Sequence, residues 1–244
     1  MKLIGKERAL RIAQKLRNEF IYNMAKLEGN TLSYAEAETV IMGTSIAGKK
    51  MSELHQIEHI RDAWDELLEQ IKADTFVLSK YNFCHLNYIV SEGENEDSRG
   101  GFRRDNVAIS GTEYLPPMPI ELNACFEEMQ DTIKDESIPD KALDVFMISS
   151  KNQFFGDGNK RTAQLMMNGL LIGAGYAPIT ISPKDEVEYR EHLIHYYETD
   201  EKEDFKIFLL KQQTKVLQRF RLGDDSPQVL VGQTKPVPER SKHP

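Results

Sequence analysis

Residues 51–73 carry one apolar stripe: Leu54, Ile57, Ile60, Trp64, Leu67, Leu68 and Ile71 recur at helical spacing. At 3.6 residues per turn these side chains share one face of an amphipathic helix. Such a helix is about 35 Å long, and its dry face has to be covered by other elements. The rest of the chain supplies covers of the same kind. Leu10, Ile12, Leu16, Phe20, Met24 and Leu27 predict a helix over residues 4–28, stopped by Gly29-Asn30. Ser33-Tyr34-Ala35-Glu36 has the spacing of a capping box and opens a short helix to about Met42. Gly43 to Gly48 is a loop, and further helices are expected at about 76–90, 119–135, 139–151, 158–173, 184–199 and 203–221.

One stretch breaks the helical pattern. Residues 91–101 are polar and glycine-containing and read as a loop. In the following segment Val107 and Ile109 alternate with Ala108 and Ser110, the period of a short strand or hairpin, and Pro116, Pro117 and Pro119 end it. The expected class is therefore mainly α, a helical bundle with one short β-hairpin. After Leu222 large apolar residues become scarce, and residues 223–244 read as a flexible tail.

Composition narrows the function. With 244 residues, 40% of them hydrophobic, the chain can bury a sizeable core. A formal charge of −8 argues against a general nucleic-acid binder. No run approaches the ~18 apolar residues of a membrane span. The N-terminus, Met1 to Arg8, lacks a signal-peptide apolar run, and Cys84 and Cys125 form no Cys-x-x-Cys pair, so a cytoplasmic protein with reduced thiols is expected.

The chemistry concentrates in Gln153-Phe154-Phe155-Gly156-Asp157-Gly158-Asn159-Lys160-Arg161-Thr162-Ala163-Gln164. Here a glycine-rich turn feeds the first turn of an apolar helix. First-turn amides lack intrahelical partners and carry partial positive charge, which makes an anion site. Gly156 and Gly158 let backbone approach an oxygen-rich ligand, and Lys160 and Arg161 add cations where helix electrostatics disfavours them by ~0.3–1 kcal/mol, a conflict an anion removes. Asp157 offers a hard oxygen ligand for Mg²⁺ beside phosphates. The same residues also describe a capped, buried helix with surface charges. There is no GxxxxGK(S/T) run, so this is not a P-loop.

The stretch resembles the Fic motif, His-x-Phe-x-(Asp/Glu)-Gly-Asn-(Gly/Lys)-Arg-x-x-Arg, with Phe155, Asp157, Gly158, Asn159, Lys160 and Arg161 in register. Two further segments support the resemblance. Gly101 to Arg104 with Val107 to Gly111 resembles the Fic flap, and Leu27 to Leu32, with Glu28, resembles the family's inhibitory segment. Gly173 to Tyr176 and Tyr189 also sit where Fic domains often carry similar residues. The resemblance implies an N-terminal helical segment with the inhibitory helix over residues 1–50, a Fic core over 51–222 and the tail beyond. It implies transfer of AMP from ATP to a hydroxyl of a target protein. Asp157 would hold Mg²⁺, and Gly156, Gly158, Asn159, Lys160 and Arg161 the phosphates. Phe155 would anchor the loop, and the target would dock on Val107, Ile109 and Gly111 by strand addition.

Two positions depart from the motif. Gln153 stands at the family's catalytic histidine, and an amide cannot take a proton near neutral pH. His85, His192 and His195 lie elsewhere and read as surface or packing residues. Gln164 stands at the final arginine, which leaves Glu28 without its expected ion-pair partner. The expected function is a protein adenylyltransferase with a degenerate motif and weak activity. The alternatives are an inactive Fic protein that binds a nucleotide or partner, or a Doc-like phosphotransferase. No nucleic-acid or membrane partner is expected, and a homo-oligomer stays open.

Overall fold

The computed structural model describes residues 1–91 and 99–221. The tail over 223–244 and most of the polar loop over 91–101 lie outside the described residues.

Ten α-helices make up the described architecture: α1 (Lys6–Lys15), α2 (Arg17–Leu27), α3 (Tyr34–Ile41), α4 (Met51–Lys72), α5 (Lys80–Val90), α6 (Leu122–Thr132), α7 (Ile138–Asn152), α8 (Asn159–Gly173), α9 (Glu186–Thr199) and α10 (Glu203–Arg221). Single 3-10 turns at Pro119–Glu121 and Pro183–Asp185 lead into α6 and α9. The mainly helical expectation holds.

Helix α8 is the axis of the molecule. Only Lys160, Leu170 and Gly173 on it escape full burial. It packs against α1, α4, α5 and most extensively α7. One apolar cluster lies between α8 and the N-terminal helices, where Trp64 stacks on Phe20 with ring centroids 4.6 Å apart. A second lies between α7, α8, α9 and α10, around Phe146, Tyr189, Phe205 and Phe208. Asn168, buried within α8, donates to and accepts from the Ile179 backbone at 3.0 and 2.7 Å and so ties down the chain leaving that helix.

Three expectations change. The helix expected over 4–28 is two helices, broken at Leu16, so that α1 lies on α8 while α2 lies on α4. The helix expected from residue 76 begins at Lys80. Ser79 caps it, accepting from the Asn82 amide at 3.2 Å, and Phe76 turns in to lie against Gly169, which has no side chain to obstruct the ring. The β-hairpin over Arg103 to Gly111 is not formed. Val107 and Ile109 do alternate in burial with Ala108 and Ser110, and Ile109 packs on the second cluster, but no neighbouring strand pairs with them among the described residues. The prolines that follow cannot complete a ladder, since they have no N–H to donate. The strand-type pairing described is a single bridge, Leu3 to Tyr176.

Candidate functional site

The motif sits in the turn between α7 and α8. Gln153 closes α7 in the left-handed conformation (φ 48°), and Gly158 opens α8 in the same conformation (φ 76°). Between them the loop is stapled internally. The Asn159 side chain accepts from the Phe155 amide at 2.8 Å and donates to the Phe155 carbonyl at 2.7 Å. Phe154 and Phe155 are buried against Phe83 and Phe102, with Phe155 centred 4.8 Å from Phe83. The expected anchoring role of Phe155 is thus realised, and the loop hangs from an aromatic knot.

Helix α5 supports the loop from the other side. Asn87 Nδ2 donates to the Asp157 carbonyl at 2.9 Å and to Thr162 Oγ1 at 3.1 Å, and its Oδ1 accepts from the Gly100 amide at 3.2 Å. A Cβ at Gly158 would stand 3.1 Å from Asn87 Nδ2 and 3.2 Å from Ser91 Cβ. Gly158 is therefore required twice, by its left-handed backbone and by the approach of α5. The turn delivers the chain into α8 with no side-chain cap at its N-terminus, and first-turn amides of a helix are the groups an anion can accept from.

Arg161 is placed differently from the sequence expectation. Its side chain is buried and donates to both Asp157 carboxylate oxygens at 2.7 and 2.8 Å and to the Val90 carbonyl at 2.9 Å. Asn159 and Arg161 both fix the loop, and Lys160, on the first turn of α8, is partly buried beside it. Asp157 lies at the loop surface with its side chain 47% exposed, held by the Arg161 pair.

Glu28 is not left without a partner. It caps the C-terminus of α2, and its Oε1 lies 3.2 Å from Lys160 Nζ, both side chains partly buried. That oxygen has no aligned hydrogen bond, so the contact is one of charge. It brings the predicted regulatory segment onto the motif. Lys160, one helical turn before Gln164, supplies the positive charge of this pair. Behind Glu28, Tyr189 and Tyr197 are held as neutral phenols, their pKa values pushed up by burial first and, among further causes, by the Glu28 charge. The hydroxyls of both, and Gln164 Nε2, are buried without hydrogen-bond partners. Gly156, by contrast, lies exposed on the loop.

The Gln153 side chain folds back and donates to the Ser150 carbonyl at 2.6 Å, ending α7. The histidines are placed as expected. His85 contacts Glu66 at 3.3 Å, His192 packs on Phe205 and Phe208, and His195 lies beside Glu201 at 3.2 Å. The predicted docking segment lies on α9: Thr112 donates to Glu198 at 2.7 Å, the Tyr114 ring pairs with Tyr197, and Lys151 lies over the rings of Tyr114 and Tyr196. Burial pushes the Tyr114 hydroxyl up to about 12. The sequence reading missed Asn87. An asparagine inside a helix carries no local sign that its amide will bridge to a loop 70 residues away.

The described residues contain no group of three or more His, Cys, Asp or Glu side chains able to hold a metal. The implied Mg²⁺ would thus rest on Asp157 and on the phosphates, which is the ordinary way that ion is bound. No helix among the described residues is long and apolar enough to cross a membrane.

Residues 77–171 match the model of the Fic/DOC family. The chain is 28% identical over 189 residues to the protein adenylyltransferase Fic of Drosophila willistoni, covering 72% of this chain and 36% of that protein. It is 27% identical over 188 residues to the protein of the same name from Aedes aegypti, with the same coverage of 72% and 36%. The chain thus spans about a third of the length of these relatives. Among solved structures, Fic-1 from C. elegans superposes with a TM-score of 0.73 at 20% identity, over 88% of this chain and 71% of that one. A Fic domain containing signaling protein from Bacteroides thetaiotaomicron gives 0.71 at 19% identity, over 88% and 89%. The described fold is Fic-type and helical.

Proposed function

We propose that this chain is a Fic-type nucleotide-binding domain that transfers AMP from ATP to a hydroxyl of a target protein, and does so slowly because Gln153 replaces the base. The observation that carries the reading is the left-handed Gly158, pressed against Asn87 and Ser91, which opens the buried helix α8 beside a half-exposed Asp157. The match of residues 77–171 to the Fic/DOC model and the name shared by the curated relatives support it.

The residues divide the work. The first-turn amides of α8 and Lys160 hold phosphate oxygens. Asp157 holds Mg²⁺, and Arg161 fixes the Asp157 carboxylate while neutralising part of its charge. When bound, Mg²⁺ withdraws charge from the phosphates and eases departure of pyrophosphate. The target's extended segment lies along Val107, Ile109 and Gly111, with which no strand pairs among the described residues, by strand addition. The hydroxyl oxygen forms the new bond to the α-phosphorus and the α–β bridge breaks. The hydroxyl proton goes to solvent, because an amide at position 153 cannot accept it. Positioned general-base catalysis is typically worth ~10²–10⁴ in rate, and that is the deficit expected here.

Gln153→His in the full chain should therefore raise self-modification with labelled ATP by about 10²-fold or more. Equal labelling of the wild type and the histidine variant would show that residue 153 is not the deficit. A second reading, binding without transfer, is favoured by two observations. The Gln153 amide is spent on the Ser150 carbonyl, and Glu28 already occupies Lys160. A Gln153→His variant that binds ATP but transfers nothing would select it.

A further inference from the structure

Arg103 is buried to 4% exposure, yet among the described residues no carboxylate pairs with it. Burial lowers the pKa of its guanidinium. A buried cation without a counter-charge is costly unless its donors are otherwise satisfied. Here each of its three nitrogens donates to a backbone carbonyl: Nε to Gln153 at 2.6 Å, Nη1 to Asp105 at 2.8 Å, and Nη2 to Pro117. Its backbone amide adds a fourth bond, to the Phe154 carbonyl at 2.9 Å. The acceptors are two ends of one segment, residues 105 and 117, and the residue that closes α7. Thr112 and Tyr114 attach the middle of that segment to α9, so the attachment of its two ends to the motif loop runs through Arg103.

We infer that Arg103 is a positioning residue: it holds the 105–117 segment in register with position 153, and so sets where a docked hydroxyl stands relative to the nucleotide. This rests on the transferase reading above. A guanidinium is suited to the task, since its fork carries donors on three separated nitrogens, whereas a lysine ammonium is a single point that cannot span three carbonyls.

The test uses the full chain carrying Gln153→His, with Arg103→Met and Arg103→Lys added separately. Both should lower kcat for AMP transfer by about 10²-fold, the scale of an ångström misplacement, and leave KM for ATP unchanged. Amide hydrogen exchange on the same proteins should accelerate about tenfold or more over residues 104–117, with α4 unaltered. Full rescue by Arg103→Lys, or faster exchange spread equally into α4, would reduce Arg103 to a general stabilising charge and overturn the inference. An Arg103→Met protein with unaltered exchange over 104–117 would overturn the clamp itself. Absence of transfer from the Gln153→His parent would overturn the transferase reading instead, and the exchange result then decides the clamp alone.

Discussion

Gly158→Ala should be among the most damaging single-methyl additions to this protein. Two costs combine. The residue is left-handed, with φ 76°, and a Cβ there costs roughly 1–2 kcal/mol. The added carbon would also stand 3.1 Å from Asn87 Nδ2 and 3.2 Å from Ser91 Cβ, so Asn87 has to retreat. Its bonds to the Asp157 carbonyl and Thr162 hydroxyl then weaken, each worth about 0.5–1.5 kcal/mol. The total is roughly 2–4 kcal/mol, which for a domain of this size lowers the melting temperature by about 5–15 °C. Gly173→Ala is the control, because Gly173 ends the same helix with no atom within contact of an added methyl and no positive φ. It should be neutral, or raise stability by about 0.4–1 kcal/mol. Thermal unfolding followed by circular dichroism measures both, and ATP titration of the folded variants measures the loop. Gly158→Ala should bind ATP more weakly at temperatures where it is fully folded. Melting of Gly158→Ala within about 1 °C of wild type, with ATP binding intact, would refute the requirement for glycine at this turn.

Glu28→Gln should tighten ATP binding by up to about fivefold, because a partly exposed ion pair of up to ~1 kcal/mol no longer competes for Lys160; calorimetric affinities unchanged by the substitution would show that Glu28 does not guard the loop. Acid stability should depend on Glu36, whose carboxyl is held down to about 2 by Lys49 first and then by the Ser33 cap. A depressed folded pKa contributes stability above the unfolded value near 4.5 that is lost as pH falls toward about 2. The gap in melting temperature between wild type and Glu36→Gln should therefore shrink as pH falls through that window, and a constant gap would contradict the assignment.

The helices were legible because their signals are local. The apolar stripe from Leu54 to Ile71 and the Ser33-to-Glu36 box depend on residues within a few turns, and both appear as read. The start of α5 was not legible, because Phe76 leaves the helix to meet Gly169, a contact made across the core. The strand pattern at Val107 to Ile109 was read correctly as alternation, but alternation does not supply a pairing partner. At the motif, residue types were legible and their directions were not. Arg161 and Asn159 carry groups that suit a phosphate, and the fold turns both inward onto Val90, Asp157 and Phe155. The Lys160 contact to Glu28 depends on two distant helix ends meeting, which no spacing within the motif encodes.

Isothermal titration with ATP and Mg²⁺ decides whether the Gly158 turn holds a nucleotide. Wild type should bind, and Lys160→Ala should bind more weakly because the cation at the loop opening is gone. Heat indistinguishable from dilution up to millimolar ATP, in wild type and Glu28→Gln alike, would show that the turn holds no nucleotide.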